Sequence, residues 1–479
     1  MHPPLIRRPG NKVAVRDREQ GVTLALVAIG IFSVIAMAAL SIDVGTLYEA
    51  NAEAQRAADA AALAAARVLS ASGLTGDPAN SSGSWPTICT TATQTAQAVA
   101  NQNLVGGAAP SNVNVSFISG DQQSDCTGSG PGVSFGWNPT VTVQVKQASL
   151  STYFARIWGS TGNSVRATAT AEAFNPSNSG GALPVQPRCV KPWVVANYEP
   201  WTQTPPNTCT TNCTPFVDKT SGVIQSPGVA NDTTNAAIGQ QFWLMADCRY
   251  SGSNCTLRSP LPQANVPNPS MGNPHIPPTP NVEYFPGSVP ATSSAVPAQA
   301  GSCSAVSGDF ARAIAGCDQS TQYQCGVQNA NSVDLSENPS PDTANAVECL
   351  IHQGGGNGQD SLKVNGALTP PAPFYPFQIL AGSNNPVVQA SAASGGDVVT
   401  NSNSIVSLPI YDSSAPAVFT AGNTTTVTII GFLQVFINKV DNFGNVNVTV
   451  MNVSGCGNNA SGTALTGTSP VPVRLITPP

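Results

Sequence analysis

Histidine and charge are what this sequence has least of. Three histidines in 479 residues, His2, His275 and His352, leave little imidazole for acid–base chemistry or for a metal centre. His2 lies in the basic leader and His275 in a proline-rich stretch, so a Ser-His-Asp triad would have to run through His352. No Gly-x-Ser-x-Gly elbow accompanies it, which argues against a hydrolase. There is no Walker A loop and no Gly-x-Gly-x-x-Gly after a strand, and Gly354-Gly355-Gly356 sits in a polar stretch, so nucleotide binding has no support. Cys-x2-Cys is absent too, and no histidine flanks the close cysteine pairs, so zinc is disfavoured. Beyond residue 20 only 14 of the 19 Lys/Arg remain, against 23 of the 25 Asp/Glu. That thin acidic balance offers no basic patch for nucleic acid.

What is present begins with an uncharged run. Val22 to Ile42 (VTLALVAIGIFSVIAMAALSI) is 21 residues long, where about 20 are needed to span a hydrocarbon core. Val22, Leu24, Leu26, Ile29, Ile31, Phe32, Ile35, Leu40 and Ile42 are among its large apolar members and mark the expected membrane anchor. Arg7, Arg8, Lys12, Arg16 and Arg18 precede it against Asp17 and Glu19, an excess that places the N-terminus in the cytoplasm and the bulk outside it. A cleaved signal peptide is the competing reading, since Ala36-Met37-Ala38 resembles a small-residue cleavage site. The run is longer than a signal core, and helix-forming sequence follows it without a break.

That sequence, from Asp43 to Leu69, is rich in Ala, Leu, Glu, Gln and Arg and has no proline, so one helix is expected from Val22 to Leu69. Ala50, Ala54, Ala58, Ala62 and Ala66 recur every fourth residue and form a stripe of small side chains. The stripe reflects helix propensity alone, or else a packing seam against a sheet of the same chain or a neighbouring subunit. A second helical run opens at Cys89 and stops at Gly106-Gly107. Residues 113–117, 141–145 and 165–173 alternate with period two and read as half-buried antiparallel strands, with a short helix expected over Ser149 to Trp158.

From Asn175 the composition turns to Pro, Ser, Asn, Thr and Gly, and Ser259 to Ala298 holds 11 prolines in 40 residues, which suits an extended linker. Strand pattern returns in Ser404–Pro409, Thr424–Ile437 and Asn445–Val453, with a core expected around Phe432 and Phe436. The expected division is 1–20 cytoplasmic stub, 21–70 membrane helix and its extension, 71–175 helix-plus-sheet unit, 176–258 cysteine-rich loops, 259–300 proline-rich linker and 301–479 β-rich domain. The fold class is α+β: a single membrane helix continuing into a long helix on a small antiparallel sheet, then disulfide-containing β-rich regions.

All 12 cysteines follow the apolar run, and an even number on one side of a membrane fits disulfides in an oxidising compartment. Cys209 with Cys213, Cys248 with Cys255 and Cys317 with Cys325 read as locally closed loops, and Cys89 with Cys126 as a bridge in the first unit. Asp441-Asn442-Phe443-Gly444-Asn445 carries too little charge for calcium and reads as a hairpin turn.

Arg18-Glu19-Gln20-Gly21 precedes the apolar run, Ile42-Asp43-Val44-Gly45 closes it, and Leu47-Tyr48 and Gln55 to Ala64 (QRAADAAALA) continue it. In these residues the N-terminal third resembles the TadG-like proteins of the tight-adherence (Flp) pilus system. Thr140–Val145, Phe154–Gly159 and Val165–Ala171 look like the strand, turn and strand that follow in such proteins. Ile314 to Cys317, Val406–Tyr411, Val427–Phe436 and Val473–Leu475 are similar to periplasmic regions of some relatives. The resemblance implies an inner-membrane protein of a bacterial envelope that works with pilus assembly or pilin proteins; from the missing nucleotide and metal motifs no cofactor is expected. Two departures bound it. Prepilin processing requires a glutamate where Leu26 stands, so processing is not expected, and Asp125-Cys126-Thr127-Gly128-Ser129 lacks the preceding buried strand of a von Willebrand A-type metal site. An adhesin or minor pilin, binding surfaces through the Asn/Thr/Ser-rich C-terminal region, is the alternative to an assembly role.

Overall fold

The structure, a computed structural model, describes residues 17–76, 85–118, 126, 138–154, 159, 162–179, 183–202, 214–230, 236–246, 249–251, 254–256, 276–289, 301–318, 321, 323–326, 330–334, 342–354, 358–363, 377–414 and 423–476. In chain order the elements begin with α1 (Asp17–Ala71), α2 (Trp85–Gln102), β1 (Asn112–Ile118), β2 (Thr140–Leu150) and β3 (Asn163–Ala173). Next come β4 (Val185–Pro187), β5 (Trp193–Ala196), β6 (Gln241–Ala246), β7 (Arg249–Ser251), β8 (Asn254–Thr256) and β9 (Asn281–Pro286). They are followed by α3 (Asp309–Ala315), β10 (Ala330–Asp334), α4 (Asp342–Leu350), β11 (Ser361–Leu362), β12 (Ile379–Leu380), α5 (Pro386–Gln389) and β13 (Val398–Val399). The chain ends with β14 (Ile405–Tyr411), β15 (Thr424–Val440), β16 (Val446–Gly455), β17 (Leu465–Gly467) and β18 (Val473–Ile476). Contacts divide the chain into Met1–Ala58 with Ala100–Val113 and Gln144–Thr168, and Asp59–Val99 with Asn114–Val143 and Ala169–Pro479.

In the first unit α1 opens as a helix whose apolar residues face outward. From Val22 to Ile42 the large side chains are 50 to 79 % exposed, and only Ala39 is buried. Further along the same helix the small residues are the buried ones: Ala50, Ala54, Ala57 and Ala58 are at most 3 % exposed. The helix begins five residues before the expected start and ends two residues after the expected stop, because nothing between Asp17 and Ala71 breaks it. Residues 149–150 finish β2 and 151–154 are irregular, so the helix expected over 149–158 is absent there; 155–158 lie outside the described residues.

In the second unit α1 continues with Ala61, Ala62, Ala65, Ala66 and Leu69 all fully buried. The alternation in β2 puts Val141 and Val143 inside, and that in β3 puts Ala169, Ala171 and Ala173 inside. The four-stranded sheet has the order β1-β2-β3-β18. Its last strand comes from the C-terminal end of the chain, pairing antiparallel from Val473↔Ala173 to Ile476↔Thr170. Arg474 fixes the pairing, with Nε 2.8 Å from the Glu172 carboxylate and its guanidinium over the Phe174 ring. The 71–175 region is therefore not a self-contained unit, since its sheet is completed by a strand about 300 residues away.

The larger sheet runs β10-β15-β14-β5-β9-β6-β16, and β15 also pairs with β16, so six strands close into a ring that leaves β10 on the first part of β15. Closure removes the open edges that a sheet of this size would otherwise expose. Two neighbours in the ring are parallel, β5 with β14 and β6 with β9, and the rest antiparallel. One face of the six strands gathers Val195, Leu244, Tyr284, Leu408, Leu433 and Val448, covered also by Phe310 and Ile314 of α3 and Val347 of α4. Gly431 sits opposite Gly455, beside a register shift in the pairing of β14 with β15; a Cβ on Gly431 would come 2.8 Å from the Ser454 carbonyl.

This ring corrects the expected boundaries. Its strands come from 176–258 (β5, β6), from the supposed linker (β9) and from 301–479, so these three stretches make one body. Phe432 and Phe436 are fully buried but on the opposite faces of the pleat from the main cluster: Phe432 packs with Phe285 and Tyr411, and Phe436 with Leu362, Ile379 and Met451. With apolar residues covered on both faces, β15 is buried almost continuously from Ile429 to Ile437. The hairpin into β16 turns on Asp441, whose Oδ1 accepts the Phe443 and Asn445 amides at 2.9 Å, with Gly444 at φ +80°.

Disulfides join Cys89 to Cys126, Cys189 to Cys317, Cys303 to Cys349 and Cys325 to Cys456. The local closure expected for Cys317 with Cys325 is thus replaced by two long-range bridges. The reason is position: Cys317 follows the end of α3 and meets the segment leading into β5, while Cys325 meets the end of β16. Cys209, Cys213 and Cys248 lie outside the described residues, as does the side chain of Cys255.

Candidate functional site

The residues quoted for the pilus-family resemblance do identifiable work along α1. In the first unit Asp43, 7 % exposed, follows the last apolar residue Ile42. Its carboxylate accepts two successive backbone amides of the 151–154 loop: Tyr153 N lies 2.9 Å from Oδ1 and Phe154 N 3.0 Å from Oδ2. Charge-assisted bonds of this kind are about twice as strong as neutral ones. Ten residues on, the Glu53 carboxylate accepts the Gly106 amide at 2.7 Å, and Gln55 Nε2 reaches the Thr168 carbonyl at 3.4 Å. Gly106 takes φ +61°, which brings its amide round to Glu53. A cleft of about 100 Å³ lies between these fastenings, lined by Asp43, Leu47, Ala50, Leu150 and Tyr153 among others.

In the second unit a buried polar network ties the end of α1 to β16. Asn452 Nδ2 donates to the Ser70 carbonyl at 3.2 Å and to Thr75 Oγ1 at 2.8 Å. Asn175 Nδ2 donates to the Val453 carbonyl at 2.9 Å and to the same Thr75 hydroxyl at 3.3 Å. Ser70 Oγ donates to the Val471 carbonyl at 2.6 Å, and Ser177 Oγ accepts the Gly455 amide at 2.7 Å. Ser70, Thr75, Asn175, Ser177 and Asn452 are all at most 3 % exposed, so each of these bonds replaces lost hydration. None of them was singled out from sequence; the only signal was an asparagine between Met451 and Val453 in an apolar strand.

The cluster around His352 has the residue types of a triad but another geometry. Ser402 Oγ donates to Asp360 Oδ2 at 2.6 Å, and Asp360 also accepts Gly382 N and Asn385 Nδ2. His352 Nε2 instead lies 2.8 Å from Asn403 Nδ2, and its Nδ1 is buried without a hydrogen-bond partner among the described residues. Burial holds the imidazole below its ordinary pKa, with Asp360 opposing. The serine proton is directed at the carboxylate and not at the ring, an arrangement that fixes loops.

Two ionisable groups are buried near α3 and β5. Lys191 Nζ donates to the Gly316 carbonyl at 2.6 Å and to Ala313 at 3.4 Å, capping the C-terminal end of α3. Burial pushes its pKa down to about 7, against the pull of Asp318. Burial pushes the Glu199 carboxyl up to about 8, partly offset by a 3.1 Å bond from Ser226 Oγ. Among the described residues no three His, Cys, Asp or Glu side chains converge as a metal site would require.

A helix long and apolar enough to cross a membrane, extended by a buried small-residue seam and followed by a disulfide-bridged β-rich body, defines the class. Within it, residues 21–68 match the model of the putative Flp pilus-assembly TadE/G-like family, and so carry a TadE/G-like region. No curated protein and no solved structure matches the chain.

Proposed function

We propose that this protein is a membrane-anchored component of a tight-adherence (Flp) type pilus assembly or secretion system, acting by protein–protein contact on the periplasmic side and catalysing no reaction. The observation that carries this is the coincidence of the TadE/G-like match with the one helix among the described residues that is long and apolar enough to cross a membrane. In that reading Val22–Ile42 is the single span of the bacterial inner membrane, and the five basic residues before it hold the N-terminus in the cytoplasm. The disulfides suit the oxidising side on which the body then lies. The partners are pilin or pilus-assembly proteins, with nucleic acid and nucleotide playing no part. The test is deletion of the gene followed by complementation: loss of pili and of surface attachment, restored by the intact chain, is expected. Normal piliation, attachment and secretion in the deletion strain would overturn the reading.

A further inference from the structure

The loop that Asp43 grips has a side chain unlike its surroundings. Tyr153, whose amide is held 2.9 Å from the Asp43 carboxylate, is 62 % exposed, and Tyr48 on α1 is 74 % exposed. These two tyrosines belong to the same unit as the apolar run, and both stand just past its end. Val22 to Ile42 measures about 32 Å along a helix axis, close to the roughly 30 Å hydrocarbon thickness. Ile42 thus reaches the edge of the hydrocarbon, and Asp43 with its bound loop stands in the headgroup layer. Long side chains on a helix lean toward its N-terminus, which carries the Tyr48 ring back toward that layer. A tyrosine with an apolar ring and a hydroxyl tip is suited to this depth.

We propose that the 151–154 loop is a second membrane contact, in which Tyr153, positioned by Asp43, joins Tyr48 in the headgroup layer of the bilayer that α1 crosses. The occupant is lipid, because both exposed rings belong to the unit that carries the exposed apolar run, Tyr48 six residues past its last member and Tyr153 on the loop that Asp43, the next residue after that run, holds. The effect is to hold the loop and the helix at one depth, so that α1 neither slides nor rotates against the bilayer surface.

The proposal rests on the anchoring reading, and one experiment separates the two. Benzoylphenylalanine is placed singly at Phe32, Tyr48, Tyr153 and Leu475 in the full chain, reconstituted in phosphatidylcholine–phosphatidylglycerol vesicles carrying a clickable lipid, and irradiated. Leu475 is an exposed apolar position on β18. Lipid labelling at 153 and 48 comparable to that at 32, and about tenfold above that at 475, is expected. Labelling at 32 with 153 no higher than 475 overturns the loop contact and leaves the anchor standing. No labelling at 32 overturns the anchor, and the loop contact with it.

Discussion

Replacing Asn452 with alanine should loosen the junction between the end of α1 and β16. The side chain is fully buried and supplies two donors, to the Ser70 carbonyl and to the Thr75 hydroxyl. Each bond contributes about 1 kcal/mol net, and the Ser70 carbonyl left without its donor costs about 1–3 kcal/mol more in a buried site. The Thr75 hydroxyl keeps Asn175, so it adds little. The total is about 2–4 kcal/mol. Amide hydrogen exchange on the full chain in detergent, followed by mass spectrometry, reads this directly. Peptides covering 60–71 and 448–455 should exchange roughly one and a half to three orders of magnitude faster, while peptides of β14 are unchanged. Asn452→Asp should be worse at neutral pH, because a carboxylate would face the Ser70 carbonyl with no donor to offer. Exchange in 60–71 that is unaltered by Asn452→Ala would refute the claim that the network holds the helix end.

Stability should pass through a shallow minimum near pH 7–8 when followed by urea denaturation. Glu199 binds its proton more tightly folded than unfolded, so between its ordinary 4.5 and about 8 stability falls as pH rises. Lys191 binds its proton less tightly folded, so between about 7 and 10.5 stability rises with pH. Each limb is worth on the order of a few kcal/mol; Glu199→Gln should abolish the acid-side fall and Lys191→Met the alkaline-side rise, and a flat profile in the wild-type chain contradicts both. Exhaustive chymotryptic digestion of the denatured, non-reduced protein, with cuts that include Tyr323 between Cys317 and Cys325, should leave one peptide pair joined through Cys189–Cys317 and another through Cys325–Cys456. A peptide pair joining Cys317 to Cys325 would restore the local pairing that sequence spacing suggests.

What could be read from sequence was what is decided locally. The course of α1 follows from composition and the absence of proline over 55 residues, and β2 and β3 from their alternation. The Asp441 turn follows from side chains that bond their own backbone. The strand β9 was hidden because proline density was averaged over 40 residues. Its prolines stand at or beyond its ends, Pro280 before it and Pro286 as its last residue, while Asn281 to Phe285 hold none and are fully buried. The pairing of β18 with β3, the ring closure of β15 on β16, and the Cys325–Cys456 bridge all join residues that no local pattern relates. Asp43 was visible as part of a motif, but its two amide partners lie 110 and 111 residues away.

The alanine stripe explains why these polar contacts matter. A row of methyl groups lets backbones come close, but each buries little area, on the order of 1 kcal/mol, and one alanine is interchangeable with the next four residues on. Such a seam is smooth: shifted by one turn it would fit almost as well. Directional bonds remove that degeneracy. In the first unit Asp43, Glu53 and Gln55 each meet one particular backbone group, and a one-turn slip of about 5 Å would break all three at once. In the second unit Ser70 and the network around Asn452 do the same for the end of the helix. The TadE/G-like match covers the helix side of the first set, Asp43, Glu53 and Gln55, and stops at residue 68, two residues short of Ser70. The matched region thus supplies the side chains that set the register in the first unit, while both sides of the contacts that bind the helix end to the ring of strands come from residues beyond it.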